Sequence, residues 1–207
     1  MDKLFTMFDK GGEFMYIILA VLVFSIAIML ERVYFVIFKS SLNTKTFIAE
    51  LEKLIQSRNM ERAIALCNTS NSALARVLRE VVKNHSGSQR DMQVAADAKT
   101  LEVIPELEKR TSYLDMFSQI ATLLGLLGTI AGLMDAFESL KVAAPDEAAS
   151  KLADGISQAM LTTMFGLTVA VPTIVVASII KNKTERIISD IDQYSVKISN
   201  LITATKG

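Results

Sequence analysis

The hydrophobic positions of this chain follow two kinds of pattern, and both predict helices. Three runs are apolar on every side: residues 14–38, "FMYIILAVLVFSIAIMLERVYFVIF", broken only by Glu31 and Arg32, then 116–134 and 156–180. About 17 to 25 such residues cross a bilayer core at 1.5 Å per residue, so three membrane helices are expected. A cleaved signal peptide would have a shorter apolar core followed by a small-residue cleavage site, and nothing of the A-x-A kind follows the first run. Elsewhere the spacing is amphipathic. "TFIAELEKLIQ" sets Phe47, Leu51, Leu54 and Ile55 on one helical face, and "ALARVLREVVKN" does the same with Leu74, Val77, Leu78 and Val81. Strand alternation is absent.

Between and after these patterns the chain has recognisable punctuation. "NHSGSQ" at 84–89 breaks the second amphipathic helix. Residues 90–117 then read as one helix running into the second span, with a bend or short interruption expected at Pro105, because proline removes a backbone donor. After the third span, Ile187, Ile191, Tyr194, Ile198 and Leu201 recur at intervals of 4, 3, 4 and 3, a seam about two heptads long. It suits either packing on the cytoplasmic helices or self-association. At the other end, Leu4, Phe5 and Phe8 share one side of "MDKLFTMFDKGG", as in a short helix lying on a membrane surface.

Composition agrees with a membrane protein. The 207 residues are 51% hydrophobic with mean hydropathy +0.36, and 22 basic residues balance 22 acidic ones. That balance gives no reason to expect a nucleic acid. One cysteine, Cys67, excludes an internal disulfide framework and reads as a small buried hydrophobe on a helix. One histidine, His85, leaves little for metal or acid-base chemistry and reads as a loop residue beside "SGS". No span carries paired carboxylates, a Ser-His set or a metal cluster, so no enzyme and no cofactor are expected.

Lysine and arginine near the span ends give an orientation, because cytoplasmic flanks carry the excess. Lys39, Lys45, Lys109, Arg110, Lys181, Lys183 and Arg186 fall on one side; Lys3, Lys10, Lys141 and Lys151 fall on the other. The expected organisation is all-α: a periplasmic amphipathic segment (1–13), a first span (14–38), a cytoplasmic helical domain (39–115), a second span (116–140), a periplasmic loop (141–154), a third span (155–180) and a cytoplasmic C-terminal helix (181–207) that continues the third span.

The second and third spans each have a small, polar side. At 100° per residue, Ser118, Thr122, Gly125 and Thr129 lie within roughly 60° of one another, with Ala121, Gly128 and Gly132 just beside them. In the third span Gly155, Ala159, Thr162, Gly166, Ala170, Thr173 and Ala177 form a stripe over its whole length, with Thr163 and Gln158 at its margins. Each glycine costs about 1 kcal/mol against alanine inside a helix, so the stripe needs a return. Close packing of helices is one, since association in lipid rests on van der Waals contact and interhelical hydrogen bonds. The wall of a shared lumen is the other: Gly128 and Gly132 would admit a neighbouring helix, while Gly125 with Thr129 would leave a narrow polar surface. Neither span holds an ionisable residue centrally; Asp115 and Asp135 stand at the two ends of the second, with Glu138 beyond. An ion path here would need a carboxylate from another chain. Pro172 fits a third span that bends near its middle.

"LGLLGTIAGLMDAF" in the second span and "GISQAMLTTMFGLTVAVP" in the third, with "LERVYF" closing the first, resemble the TolQ, ExbB and MotA family of proton-channel motor proteins. Three spans with a large insert between the first two are similar to its ExbB and TolQ branch. The resemblance implies an inner-membrane homo-oligomer, typically a pentamer, around single-span helices of an ExbD- or TolR-like partner whose membrane aspartate carries the proton. It implies that Thr129, Thr163, Thr162, Thr122 and Gln158 line that path, that Gly125, Gly128, Gly132, Gly166, Ala159, Ala170 and Pro172 serve helix packing, and that H+ is the transported ion. Work would then pass to a TonB-like or TolA-like transducer. Many relatives have glutamate where this chain has Gln158, whose amide hydrogen-bonds but does not change charge. The competing expectation is a scaffold that assembles and stabilises a single-span partner without conducting ions.

Overall fold

The computed structural model describes residues 11–39, 44–142, 144 and 146–206. The expected N-terminal amphipathic face of Leu4, Phe5 and Phe8 lies outside them. Among the described residues seven α-helices follow in order: α1 (Glu13–Val33), which ends in a π-helical turn (Tyr34–Lys39); α2 (Thr44–Gln56); α3 (Met60–Asn68); α4 (Ala73–Lys83); α5 (Gln89–Glu108); α6 (Thr111–Val142); and α7 (Ala148–Lys206). No strand occurs among the described residues. Three helical stretches, in α1, α6 and α7, are long and apolar enough to cross a membrane.

The helices divide between two units, one holding residues 1–30 and 110–178, the other 31–109 and 179–207. In the first, α1, α6 and α7 meet around Ile18, Ala121, Val169 and Ala170, with Leu22, Leu124 and Phe165 packed against them. Phe24 of α1 stacks on Phe117 of α6 with ring centres 6.4 Å apart. The remaining faces carry exposed leucine, isoleucine, valine and methionine, including Leu123, Leu126, Ile130, Met160, Val171 and Ile174. Such a surface suits lipid or further helices, not water.

The second unit has a core of large apolar side chains from amphipathic helices. Phe47, Ile48, Leu51 and Ile55 of α2 are buried, as are Leu74, Val77, Leu78 and Val81 of α4. The starts of α3, α4 and α5 have capping side chains: Asn59 accepts from the Arg62 N–H at 3.2 Å, and Ser72 from the Ala75 N–H at 3.3 Å. Ser88 and Asp91 form a reciprocal capping box at the "NHSGSQ" break. The Ser88 backbone N–H donates to Asp91 at 2.8 Å and holds that carboxyl below its usual range. Cys67 of α3 is buried, and burial pushes its thiol up to about 12, so it stays neutral. His85 is half-buried, its Nδ1 3.0 Å from the Val82 carbonyl.

Two expectations meet a definite outcome here. The C-terminal seam packs within its own unit: Ile187, Ile191, Ile198 and Ile202 are buried, and Lys197 to Glu52 (2.5 Å), Gln89 to Asn200 (2.5 Å) and Lys206 to the Gly87 carbonyl (2.7 Å) fasten its exposed side. Leu201 is only half-buried, and the seam closes on Ile202 instead. The interruption expected at Pro105 lies farther on. α5 continues through Pro105 to Glu108, and the break is at Arg110, whose φ of 61° is left-handed. The carbonyl that loses its donor belongs to Leu101, which is 74% exposed, so solvent can take the donor's place. Sequence reading also passed over Arg32. It is 2% exposed, lies 5.1 Å over the Phe35 ring and donates to the Leu107 carbonyl in the last turn of α5, where the helix dipole favours a cation.

Candidate functional site

The glycine stripes of α6 and α7 face each other. From Ser118 on, the buried positions of α6 are Ser118, Ala121, Gly125, Gly128, Gly132 and Ala136; between Gly155 and Ala177, those of α7 are Gly155, Ala159, Thr162, Gly166, Ala170, Thr173 and Ala177, with Val169 buried beside them in the core shared with α1. A methyl group at Gly166 would sit 2.6 Å from the Ala121 carbonyl oxygen and 3.0 Å from the Gly125 Cα, both backbone atoms that cannot yield. One at Gly132 would meet the Ala159 nitrogen at 3.1 Å, and one at Gly128 the Thr162 side chain at 2.8 Å. Backbone therefore approaches backbone between Ala121 with Gly166 at one end and Ala136 with Gly155 at the other, and dispersion contact repays the glycines' intrinsic cost. Gly155 belongs to this set too: a methyl there would stand 2.4 Å from the Ala136 Cβ. Its place in the 4-3-4 spacing of small residues is the signal that marks it.

The threonines do different things. Thr162 is buried, and its hydroxyl donates to the Ala159 and Gln158 carbonyls at 2.9 and 3.2 Å within its own helix. Thr163 donates across the pair to the Gly125 carbonyl at 3.0 Å. Thr129 and Thr122 bond back to Leu126 (2.5 Å) and Ser118 (3.0 Å) of their own helix; Thr129 stays half-exposed and Thr122 exposed. Gly125 is enclosed by Thr162, Thr163 and Gly166, so all three α6 glycines serve the pairing. The expectation that Gly125 and Thr129 share an open polar surface is corrected: glycine on the seam side and threonine at its margin face different neighbours. Gln158 is half-buried, and its amide lies against Gly12, where a methyl would stand 2.5 Å from Nε2. Pro172 is exposed and α7 runs on through it without a break.

Residues 116–134 and 155–180 contain no aspartate, glutamate, lysine, arginine or histidine. No group of three or more histidine, cysteine, aspartate or glutamate side chains able to hold a metal exists among the described residues. On another side of α7, Ala153, Ile156, Ser157, Met160, Leu161 and Met164 line an open, almost wholly apolar groove of about 740 Å³. The pair is thus a smooth, uncharged wall with a few hydroxyl groups at its margins.

The chain resembles known proteins in sequence and in fold. Residues 69–193 match the sequence profile of the MotA/TolQ/ExbB proton channel family. The chain is 27% identical over 173 residues to the biopolymer transport protein ExbB-like 3 of Synechocystis sp., covering 83% of this chain and 82% of that one. It is 26% identical over 190 residues to an ExbB homolog of Methanothermobacter thermautotrophicus, covering 92% of this chain and 66% of the other. The fold resembles the solved structure of C. jejuni MotAB with a TM-score of 0.61 and 17% identity, over 87% of this chain and 68% of that one. The matched profile covers more than half the chain and includes the glycine-bearing stretches of both α6 and α7: the chain belongs to the MotA/TolQ/ExbB proton channel family.

Proposed function

We propose that this protein is the multi-span subunit of a proton-driven motor in a bacterial inner membrane, with its N-terminus periplasmic and its C-terminal helix cytoplasmic. Copies of the chain, five in the family's usual arrangement, surround the single-span helices of an ExbD- or TolR-like partner. One observation carries this reading: two paired helices, apolar enough to span a membrane, hold no ionisable residue in their central parts, yet belong to a proton-channel family. The proton-carrying carboxylate therefore comes from the partner, and this chain supplies the wall. Tight backbone pairing makes that wall stiff, and the half-exposed Thr129 offers a hydroxyl at its margin. Protonation of the partner carboxylate removes its charge and lets it pass the apolar surface, and reionisation on the other side commits the movement. The work drives an envelope process of the TonB or TolA kind. Gln158 cannot relay protons by changing charge, although its amide can give and accept hydrogen bonds.

The test is proton uptake into vesicles containing the chain with its partner. Thr129→Ala is expected to reduce uptake while the complex still assembles. Assembly without any partner-dependent uptake in the unmodified complex would replace the motor with the scaffold reading.

A further inference from the structure

The break between α5 and α6 has no cause in the residues that form it. Residues 106–110, "ELEKR", are all good helix formers, and no glycine or proline stands between Pro105 and Thr111. Yet Lys109 is extended, with φ −45° and ψ 132°, and Arg110 is left-handed, with φ 61°. Left-handed backbone is unfavourable for a residue that carries a side chain, because Cβ crowds the following carbonyl. A contact from elsewhere in the fold has to favour it.

Arg32 supplies that contact. In an unbroken helix the Leu107 carbonyl would accept from the N–H of Thr111, four residues on. In this structure it accepts from the Arg32 guanidinium, and the turn at Arg110 carries the chain out of the helical path before Thr111 is reached. A bond from a charged donor is stronger than one from a neutral amide. Arg32 is 2% exposed at the end of α1 and lies 5.1 Å over the Phe35 ring, so burial and the aromatic face both hold the guanidinium in place. On α5 itself, Glu106 is paired with Arg76 of α4 at 2.6 Å. α5 is therefore seated as far as Glu106, and the choice of path falls on the four residues that follow.

We propose that Arg32 holds open a joint between α5 and α6. Its guanidinium takes the place of the Thr111 N–H at the Leu107 carbonyl, and without it α5 and α6 close into one continuous helix. The start of α6, the helix that bears Gly125, Gly128 and Gly132, is thus conditional on a side chain of α1. This is a property of the chain's own backbone and does not depend on the motor reading.

The test is hydrogen exchange in the full chain reconstituted in a bilayer, read at the amides of Arg110, Thr111 and Ser112. The first N–H groups of a helix have no acceptor within it, so these amides are expected to exchange fast in the parent. Arg32→Met keeps an apolar stem over Phe35 but removes the donor. It is expected to slow the three amides about tenfold, as each gains the carbonyl four residues back. Arg32→Lys retains a charged donor and is expected to match the parent. Arg32→Met combined with Arg110→Gly is expected to exchange fast again, since glycine takes left-handed backbone freely and weakens a helix interior. Amides of the α4 core, at Val77, Leu78 and Val81, report on folding of the unit and are expected to stay protected in every variant. Exchange at 110–112 that is unchanged or faster in Arg32→Met, slowing that Arg110→Gly does not reverse, or protection lost in α4, would overturn the proposal and leave Arg32 as an ordinary packing contact.

Discussion

The buried stripe of α7 keeps one spacing from end to end but changes its chemistry midway. From Gly155 to Ala177 it is glycine, alanine and threonine; from Ile180 to Ile202 it is isoleucine at five of seven positions, with Thr184 and Ser195 between them. Both halves lie on one helix of 59 residues, and both are buried against neighbouring helices. The difference is the surroundings. In water, a large aliphatic side chain gains about 25 cal/mol for each Å² it removes from solvent, so isoleucine holds the tail to its unit. In lipid that gain vanishes, and only closer contact repays association, so side chains shrink until backbones touch. A 3.6-residue pattern tells where a helix is buried; the size of the residues in it tells in what.

Exchanging the two chemistries is the way to break this comparison. Ile191→Ala in the tail should cost about 3 kcal/mol, since it empties a fully buried site. Urea unfolding followed by a probe on the second unit would measure it. Gly166→Ala adds one methyl against fixed backbone and should cost about 2 kcal/mol, read as a lower melting temperature of the detergent-solubilised protein. If the α6–α7 pair were held by apolar burial, that methyl would stabilise it instead.

Smaller effects sharpen the picture. Ser88→Ala removes the capping box of α5 and should cost about 1 kcal/mol near neutral pH. Asp91, whose folded pKa is lowered by the Ser88 N–H, contributes while ionised: fully above its ordinary value, with the contribution fading as pH falls through the lower folded one. Ser88→Ala keeps that N–H, so variant and parent should both lose this contribution below about pH 4. Most of the difference between them comes from the hydroxyl that accepts the Asp91 N–H, and it should persist in acid. Thr163→Val loses the bond to the Gly125 carbonyl and should cost about 0.6 kcal/mol, measurable as a small shift in the same melting experiment. Thr129→Ala, whose hydroxyl serves only its own helix turn in this chain, should leave that melting temperature within error.

Much of this was readable beforehand, for a physical reason. Three continuous apolar runs and two amphipathic spacings state their helices directly, and the glycines mark the helix pair because little else explains them in a helix interior. What escaped reading depends on which of several equivalent neighbours is chosen. Gly125 could have faced Thr129's side or the seam, and only the packing of Thr162, Thr163 and Gly166 decides it. Arg32 looked like an interruption of the first run, because nothing local says that its guanidinium meets the end of a helix 75 residues away. The break at Arg110 likewise follows from the chain's change of direction there, whereas Pro105, the obvious breaker, sits where solvent excuses its missing donor.

The central claim is that this chain is one wall of a proton path completed by a carboxylate from another chain. Proton uptake into vesicles driven by a potassium-diffusion potential tests it most directly, comparing the chain alone, the complex with its single-span partner, and the complex whose partner has its membrane aspartate changed to asparagine. Uptake in the intact complex alone is the predicted result. Equal uptake by the chain alone, or by the asparagine complex, would contradict it.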